Sequence, residues 1–336
     1  MVGTMSLEHP FAQYVRILGR GKNLSRSLTE EEAEAAMAII LRGEARPEQI
    51  GAMMMLLRVK EEDPEEIAGF VRGARSTFEL PLAPSEVDLD WSSYAGKRQQ
   101  LPWFLLAVFT LVGEGVRIFM HGTEGHTPGR LYTLGALKTL NIEPASNLTE
   151  ASNQINKVGF SYLPLEGISK ILRDLIDLRS IFGLRSPVHT FARMLNPFSA
   201  QFLLQGIFHP NYMKIHQGAA KLLGQHHMAV FRGEGGEIER RPNKPLTVDT
   251  VHNGNFESET WPPLLTEPRQ PKDLAMDITR LKEIWYGDET DPYAIAAITG
   301  TLAISLKLLG KASDVVDAQK KAEKMWQDRN RKRFLP

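Results

Sequence analysis

The chain reads as an α/β protein with a separate helical domain: a parallel-rich sheet flanked by helices, preceded by a small all-α N-terminal domain. Two observations predict this class. The first eighty residues carry helical patterning only, closed by the linker Pro81-Leu-Ala-Pro84. Beyond it, short apolar strand-like runs alternate with helical runs, the pattern of right-handed βαβ units on a parallel sheet.

The elements follow in order. Phe11 to Leu18 is a short amphipathic piece, followed by the loop Gly19-Arg-Gly-Lys-Asn23. Thr29 opens a helix, with Glu32 three residues on as a capping box, and Gly43 closes it. Pro47 opens the next helix, whose apolar stripe is Ile50, Met53, Met54 and Leu57. Its Met53-Met54-Met55 run fits core packing by spacing rather than a cofactor box. Pro64 opens a third helix with Ile67, Phe70, Val71, Ala74 and Phe78 inward. Strands are expected at 87–90, 116–120 and 228–231, and helices at 101–113, 129–140 and 172–182. Asp291-Pro292 is an N-cap and first-turn pair for a long helix to about Leu309, and a last helix covers 312–327. Residues 232–271, rich in Gly, Pro, Asn and Glu, read as irregular loops with short strands. The tail Arg329-Asn-Arg-Lys-Arg333 reads as a disordered solubilising end, with a nucleic-acid arm as the other reading.

Composition narrows the function. The 336 residues are 42% hydrophobic and 24% charged, as in soluble globular proteins. Lys+Arg and Asp+Glu are both 40, so a polyanion must be met by a local patch. There is no cysteine, which excludes disulfides, thiolate metal sites and a cysteine nucleophile. The N-terminus lacks a signal-peptide core, and the longest apolar run, Leu101 to Val112, suits a buried helix and is too short for a membrane span. These features suit the cytoplasm. His226-His227 lacks a third ligand in register, so no metal is assigned there.

Three further stretches carry candidate chemistry. Arg117 to Gly125 is a strand running into a His-Gly turn, at the sheet edge where ligands sit. Arg185 to Pro197 carries two arginines and a histidine. Phe231 to Glu239 is a strand running into a Gly turn with three glutamates.

With the helical start, these stretches resemble the anthranilate phosphoribosyltransferase family. The closest matches are Leu28-Thr-Glu-Glu-Glu-Ala33, Ile40-Leu-Arg-Gly43, Gln49-Ile-Gly-Ala52, Leu57-Arg-Val-Lys60 and Glu65-Glu-Ile-Ala-Gly69. The resemblance spans roughly residues 11 to 325. It implies a helical domain over 1–80 with a return helix at 165–183, an α/β domain over 85–164 and 184–336, and a homodimer formed through the helical domains. Active members transfer a phosphoribosyl group from phosphoribosyl pyrophosphate to an aromatic amine, with magnesium.

The carried-over motifs depart at the sites that matter. The family's Gly-Thr-Gly-Gly-Asp pyrophosphate loop falls on Trp91-Ser-Ser-Tyr-Ala95 or its neighbours, where bulky side chains are expected to fill the anion's space. Its Lys-His-Gly-Asn falls on Met120-His-Gly-Thr123, and its Asp-Glu metal pair falls near Gly236-Glu237. Its Asn-Pro remains as Asn196-Pro197, behind Ala192-Arg193 in place of Gly-Pro. The implied phosphate or ligand site is Ser92, Ser93, Tyr94, Gly96, Lys97, Arg98, His121, Gly122, Thr123, Arg185 and His189. Glu237 is the implied metal ligand, and no catalytic residue is assigned.

Three function classes follow. One is a divergent member with reduced or no transfer that binds single-stranded DNA or RNA through a basic cleft, using Arg20, Lys22, Lys97, Arg98, Arg179 and Arg193. The second is an altered phosphoribosyltransferase, with magnesium, acting on an unknown acceptor. The third is a small-molecule-binding or regulatory relic.

Overall fold

The computed structural model describes residues 8–334; part of the N-terminal stretch read for a leader lies outside them. The helical start forms as patterned. Helices α1 (Ala12–Gly19), α2 (Glu30–Leu41), α3 (Pro47–Lys60) and α4 (Pro64–Arg75) precede any strand. Thr29 caps α2 and Glu32 answers as a capping box, and Pro47 and Pro64 sit at the first helical positions of α3 and α4. Met53 and Met54 are core residues, while Ile50 and Phe78 are only partly buried. Gly69 and Gly73 let α4 lie against the α2 backbone: a Cβ on Gly69 would stand 2.2 Å from the Glu30 carbonyl oxygen.

The rest of the chain builds one seven-stranded sheet in the order β3-β2-β1-β4-β5-β6-β7. It runs β1 (Leu89–Ser93), α5 (Phe104–Gly113), β2 (Ile118–Gly122), α6 (Thr133–Thr139), α7 (Leu148–Val158) and β3 (Phe160–Pro164). Next come α8 (Leu165–Ile168), α9 (Lys170–Asp177), α10 (Arg179–Phe182), α11 (Val188–Phe191), β4 (Phe202–Ile207), α12 (Tyr212–Leu222) and β5 (His227–Arg232). The hairpin β6 (Leu246–His252) and β7 (Asn255–Trp261) is followed by α13 (Arg280–Tyr286), α14 (Pro292–Leu308) and α15 (Val315–Gln327). The first five strands pair in parallel; β6 and β7 add antiparallel. No described helix is long and apolar enough to cross a membrane.

One core lies between the sheet and the N-terminal helices and includes Phe70, Phe119 and Phe191. The other covers the opposite face with α5, α14 and α15, around Trp91, Phe104, Trp261 and Trp285. Helix α5 is apolar all round and buried on every side, as its sequence requires.

Several sequence expectations need correction. The return helix expected at 165–183 is broken at Ser169 and Leu178 into the short pieces α8, α9 and α10. Within residues 232–271, read as irregular loops with short strands, residues 246–261 form one long hairpin turned by Asn253-Gly254, both at positive φ. That Asn-Gly step between alternating runs was the signal available in the sequence. The basic tail is docked at its start: the Arg329 guanidinium lies 3.5 Å from the Trp326 ring centroid and donates to the Ile284 and Trp285 carbonyls at 3.0 and 2.7 Å. Arg331–Phe334 makes a further helical turn.

Gly69→Ala tests the α2–α4 approach. Helix propensity alone would stabilise it by about 1 kcal/mol, whereas the clash costs about 1–3 kcal/mol. Urea unfolding is expected to show net loss, while Gly135→Ala, at an exposed position of α6 with open space around it, shows a small gain. A stabilised Gly69→Ala would refute the close approach.

Candidate functional site

Strands β1, β2 and β3 run to one side and β4 and β5 to the other, so the chain switches direction between β1 and β4. In open α/β sheets, crevices for ligands form at the carboxyl end of that switch. The loops after β1, β2 and β5 converge there.

The turn after β1 is the centre. Gly96 takes φ +69°, a left-handed conformation that favours glycine. The amides of Ala95 and Gly96 both donate to Glu237 Oε1 at 2.6 Å. Successive N–H groups converging on one oxygen form an anion-binding nest. The nest therefore persists with a single glycine, and its occupant is the carboxylate of the chain's own Glu237. Arg130 takes the other side of the same turn, donating to the Ala95 and Gly96 carbonyls at 2.8 and 3.1 Å and to that of Gly235 at 3.3 Å. The glutamate turn is pressed onto β4: a Cβ on Gly206 would lie 2.2 Å from the Glu237 carbonyl oxygen.

This corrects the expectation that bulky side chains fill the bend. Trp91 belongs to β1 and stacks on Phe104 across the α5 face, with ring centroids 6.3 Å apart. Tyr94 packs into the opposite core. Its hydroxyl meets His121 Nδ1 at 2.8 Å, and His121 Nε2 meets Asp90 Oδ1 at 3.1 Å. Asp90 only accepts, so Nε2 carries the proton and Tyr94 donates to Nδ1. Burial, then the Asp90 charge, pushes the Tyr94 hydroxyl well above its ordinary value, so it stays protonated. His121 has both ring nitrogens engaged.

Lys97 is 1% exposed and is not a surface cation. It pairs with Glu234 and, at 2.5 Å, with Glu239 Oε1. Glu239 Oε2 accepts the Phe104 amide at 2.9 Å, at the start of α5. Burial pulls Lys97 down, but Glu239 and Glu234 outweigh it and hold the ammonium above its ordinary range. Burial pushes Glu239 up to about 7 against Lys97, whereas at Glu234 Lys97 wins and the carboxyl sits low. Lys97 is thereby withdrawn from any nucleic-acid contact. Arg98 beside it is exposed.

Other expected residues scatter. Ser92 is buried with an unpartnered hydroxyl, and Ser93 bonds Thr133 at 2.6 Å. Gly122 lies too close to the Ser93 carbonyl to carry a side chain, and the Thr123 hydroxyl is taken by Arg173. Arg20 and Lys22 are exposed in the loop after α1.

Arg179, Arg185, Arg193 and Arg130 instead share one wall. Arg193 is buried and donates to the Gly206 and Gly236 carbonyls, both at 3.1 Å. Arg179 donates to the His126 carbonyl at 2.7 Å. Arg185 makes no hydrogen bond or ion pair among the described residues. Burial, then repulsion by Arg193, Arg130 and Arg179, brings its guanidinium down to about 10. His189 donates from Nδ1 to the Ser186 carbonyl at 3.2 Å, and its Nε2 is unpartnered. Arg58, Glu62, Arg185, His189, Arg193 and Tyr212 line a crevice of about 130 Å³, where the Tyr212 hydroxyl donates to buried Glu62. Arg130 and His126 were invisible as site residues in the sequence, because only the folded loop after β2 brings them to the β1 turn. Among the described residues no group of three His, Asp or Glu is arranged to hold a metal.

The wall keeps its histidines neutral. Burial, then the nearby arginines, lowers His126 to about 4, and burial with Arg193 lowers His216 to about 3. A histidine whose folded pKa lies below the unfolded value of about 6.5 binds more protons when unfolded, so its contribution is lost as pH falls from about 6.5 towards the folded value. Each adds up to about 1.4 kcal/mol per pH unit in that window. Urea unfolding at about pH 7 and about pH 5 is expected to show lower stability in acid, and His126→Gln, which keeps a donor for the Tyr94 carbonyl, is expected to lessen the drop. An unchanged drop would contradict a neutral buried His126.

Comparison with known proteins agrees with this architecture. Residues 12–78 match the helical bundle domain of the glycosyl transferase family. Anthranilate phosphoribosyltransferase of Moorella thermoacetica is 28% identical over 86% of this chain and 81% of its own. The uncharacterized protein YbiB of Escherichia coli is 23% identical over 91% and 97%. Among solved structures, anthranilate phosphoribosyltransferase of Thermus thermophilus superposes with a TM-score of 0.78 at 19% identity, covering 94% of each chain. The Saccharomyces cerevisiae enzyme in complex with PRPP and Mg also superposes at 0.78, with 18% identity over 97% and 95%. The Syntrophobacter fumaroxidans enzyme is 30% identical over 74% of both chains, and with that match the chain belongs to the anthranilate phosphoribosyltransferase family.

Proposed function

We propose that this member of the family binds a single-stranded nucleic acid along the arginine wall and has reduced or no phosphoribosyl transfer. The observation that carries the reading is Arg185: a guanidinium with no partner among the described residues, crowded by three others. The carboxylates beside this wall, Glu62 in the crevice and Glu237 facing Arg193, are bonded to Tyr212 and to backbone amides, so Arg185 is stabilised by an anion from outside, and a chain of phosphates supplies several at once. The neutral His189 Nε2 adds a hydrogen-bond acceptor suited to a sugar hydroxyl or a base amine. The crevice volume, about 130 Å³, falls below the roughly 300–1,000 Å³ of small-molecule sites. That favours a ligand passing across the wall over one enclosed in it.

Reduced transfer rests on the nest. A diphosphate seated on the Ala95 and Gly96 amides would first have to expel the Glu237 carboxylate. Magnesium, which the yeast enzyme's complex contains, fits the acidic turn no better, because the carboxylates are already bound to Lys97 and to backbone amides.

Two measurements test the reading. Affinity for single-stranded DNA is expected to fall steeply with salt, with Arg185→Ala and Arg179→Ala each reducing the log–log slope by about 0.7. Lys97, being buried, is expected to contribute nothing to that slope. Absence of binding at low salt removes the nucleic-acid reading. Separately, phosphoribosyl pyrophosphate with magnesium is expected to leave the melting temperature unchanged, while Glu237→Ala, with the nest vacated, is expected to gain stabilisation by pyrophosphate. A rise in wild-type melting temperature would favour the altered transferase on an unknown acceptor instead.

A further inference from the structure

We infer that Lys97 is the resident cation of the acidic turn: its ammonium takes the place that a divalent metal would need, and this chain uses no metal there. The inference goes beyond the proposed function and does not depend on nucleic-acid binding.

The carboxylate oxygens of the turn are almost all occupied by groups of the chain itself. Glu239 Oε1 holds Lys97 at 2.5 Å, and Glu239 Oε2 holds the Phe104 amide at 2.9 Å. Glu234 Oε2 holds Lys97, and Glu234 Oε1 accepts from Gln270 at 3.2 Å. Glu237 Oε1 holds two amides, which leaves Glu237 Oε2 without a partner and Glu234 Oε2 with the Lys97 ion pair alone. Magnesium needs six oxygens in near-octahedral order and gives up its water reluctantly. It keeps several waters and is held by one or two carboxylates with substrate phosphates, and here two of the three glutamates are already paired with Lys97 while the third is bound to the nest amides.

Charge points the same way. Lys97 and Glu239 are at most 1% exposed, so neither can be left unpaired cheaply. The ammonium is covalently delivered by the residue after the nest glycine, so it is always present at its site. A metal arriving from solution would have to displace it and leave a buried ammonium without a counterion. The turn thus carries its own cation in Lys97 and its own anion in Glu237, both supplied by the chain.

The inference makes Lys97→Met a gain-of-binding variant. The probe is Mn²⁺ alone, followed by titration calorimetry and thermal unfolding. Wild type is expected to show no saturable Mn²⁺ binding and no change in melting temperature. Lys97→Met is expected to melt lower than wild type without metal and to recover by several degrees as Mn²⁺ is added. Lys97→Met/Glu239→Gln, which removes one charge of each sign, is expected to fold and to lose most of that Mn²⁺ response. If Lys97→Met alone does not fold, the comparison rests on wild type: absence of Mn²⁺ binding supports the inference. Saturable wild-type binding that Glu239→Gln abolishes overturns it, as does a folded Lys97→Met indifferent to Mn²⁺.

Discussion

Two backbone amides at the end of β1 must be satisfied, and the way this chain satisfies them organises the whole carboxyl edge of the sheet. An unpaired buried N–H costs about 1–3 kcal/mol. Here the Ala95 and Gly96 amides go to Glu237 and the carbonyls of the same residues go to Arg130. Both partners come from other loops, so the turn is bracketed by charge on each side. That bracket joins the ends of β1 and β5 across β4, where Gly206 is bare enough to let the glutamate turn lie against it.

The overall charge of zero conceals a separation of charge within the fold. The glutamates of the turn after β5 are matched internally by Lys97 and by backbone donors. The arginines on the adjoining wall are matched mostly by carbonyl oxygens, or in the case of Arg185 by nothing described. Carbonyl dipoles orient a guanidinium without cancelling its charge. The partly buried arginine wall therefore keeps its charge beside a neutralised acidic turn, a local imbalance that composition does not show.

The legible parts of the fold were those written in local chemistry. Thr29 with Glu32, Pro47, Pro64 and Asp291 with Pro292 each announce a helix start through groups one to four residues away, and each helix begins there. The all-apolar run before Val112 announces burial in the same way. The site was less legible. Lys97 and Trp91 were both misread, and for one reason: sequence shows what a side chain is but not which face of the strand or turn sends it inward. Trp91 alternates to the α5 face, and Lys97 is drawn in by two carboxylates about 140 residues away in the chain, at Glu234 and Glu239.

The sequence by itself determined the helical start, the alternation that yields the parallel sheet, the absence of thiol chemistry and the residue types at the sheet's carboxyl edge. Those follow from periodicity, capping and composition, which act within a few residues. Only the tertiary structure decided that Glu237 sits in the anion nest, that Lys97 faces Glu234 and Glu239, and that four arginines crowd one wall. Each of these is a contact across the switch point between strands, and its sign depends on burial and distance that no local pattern encodes.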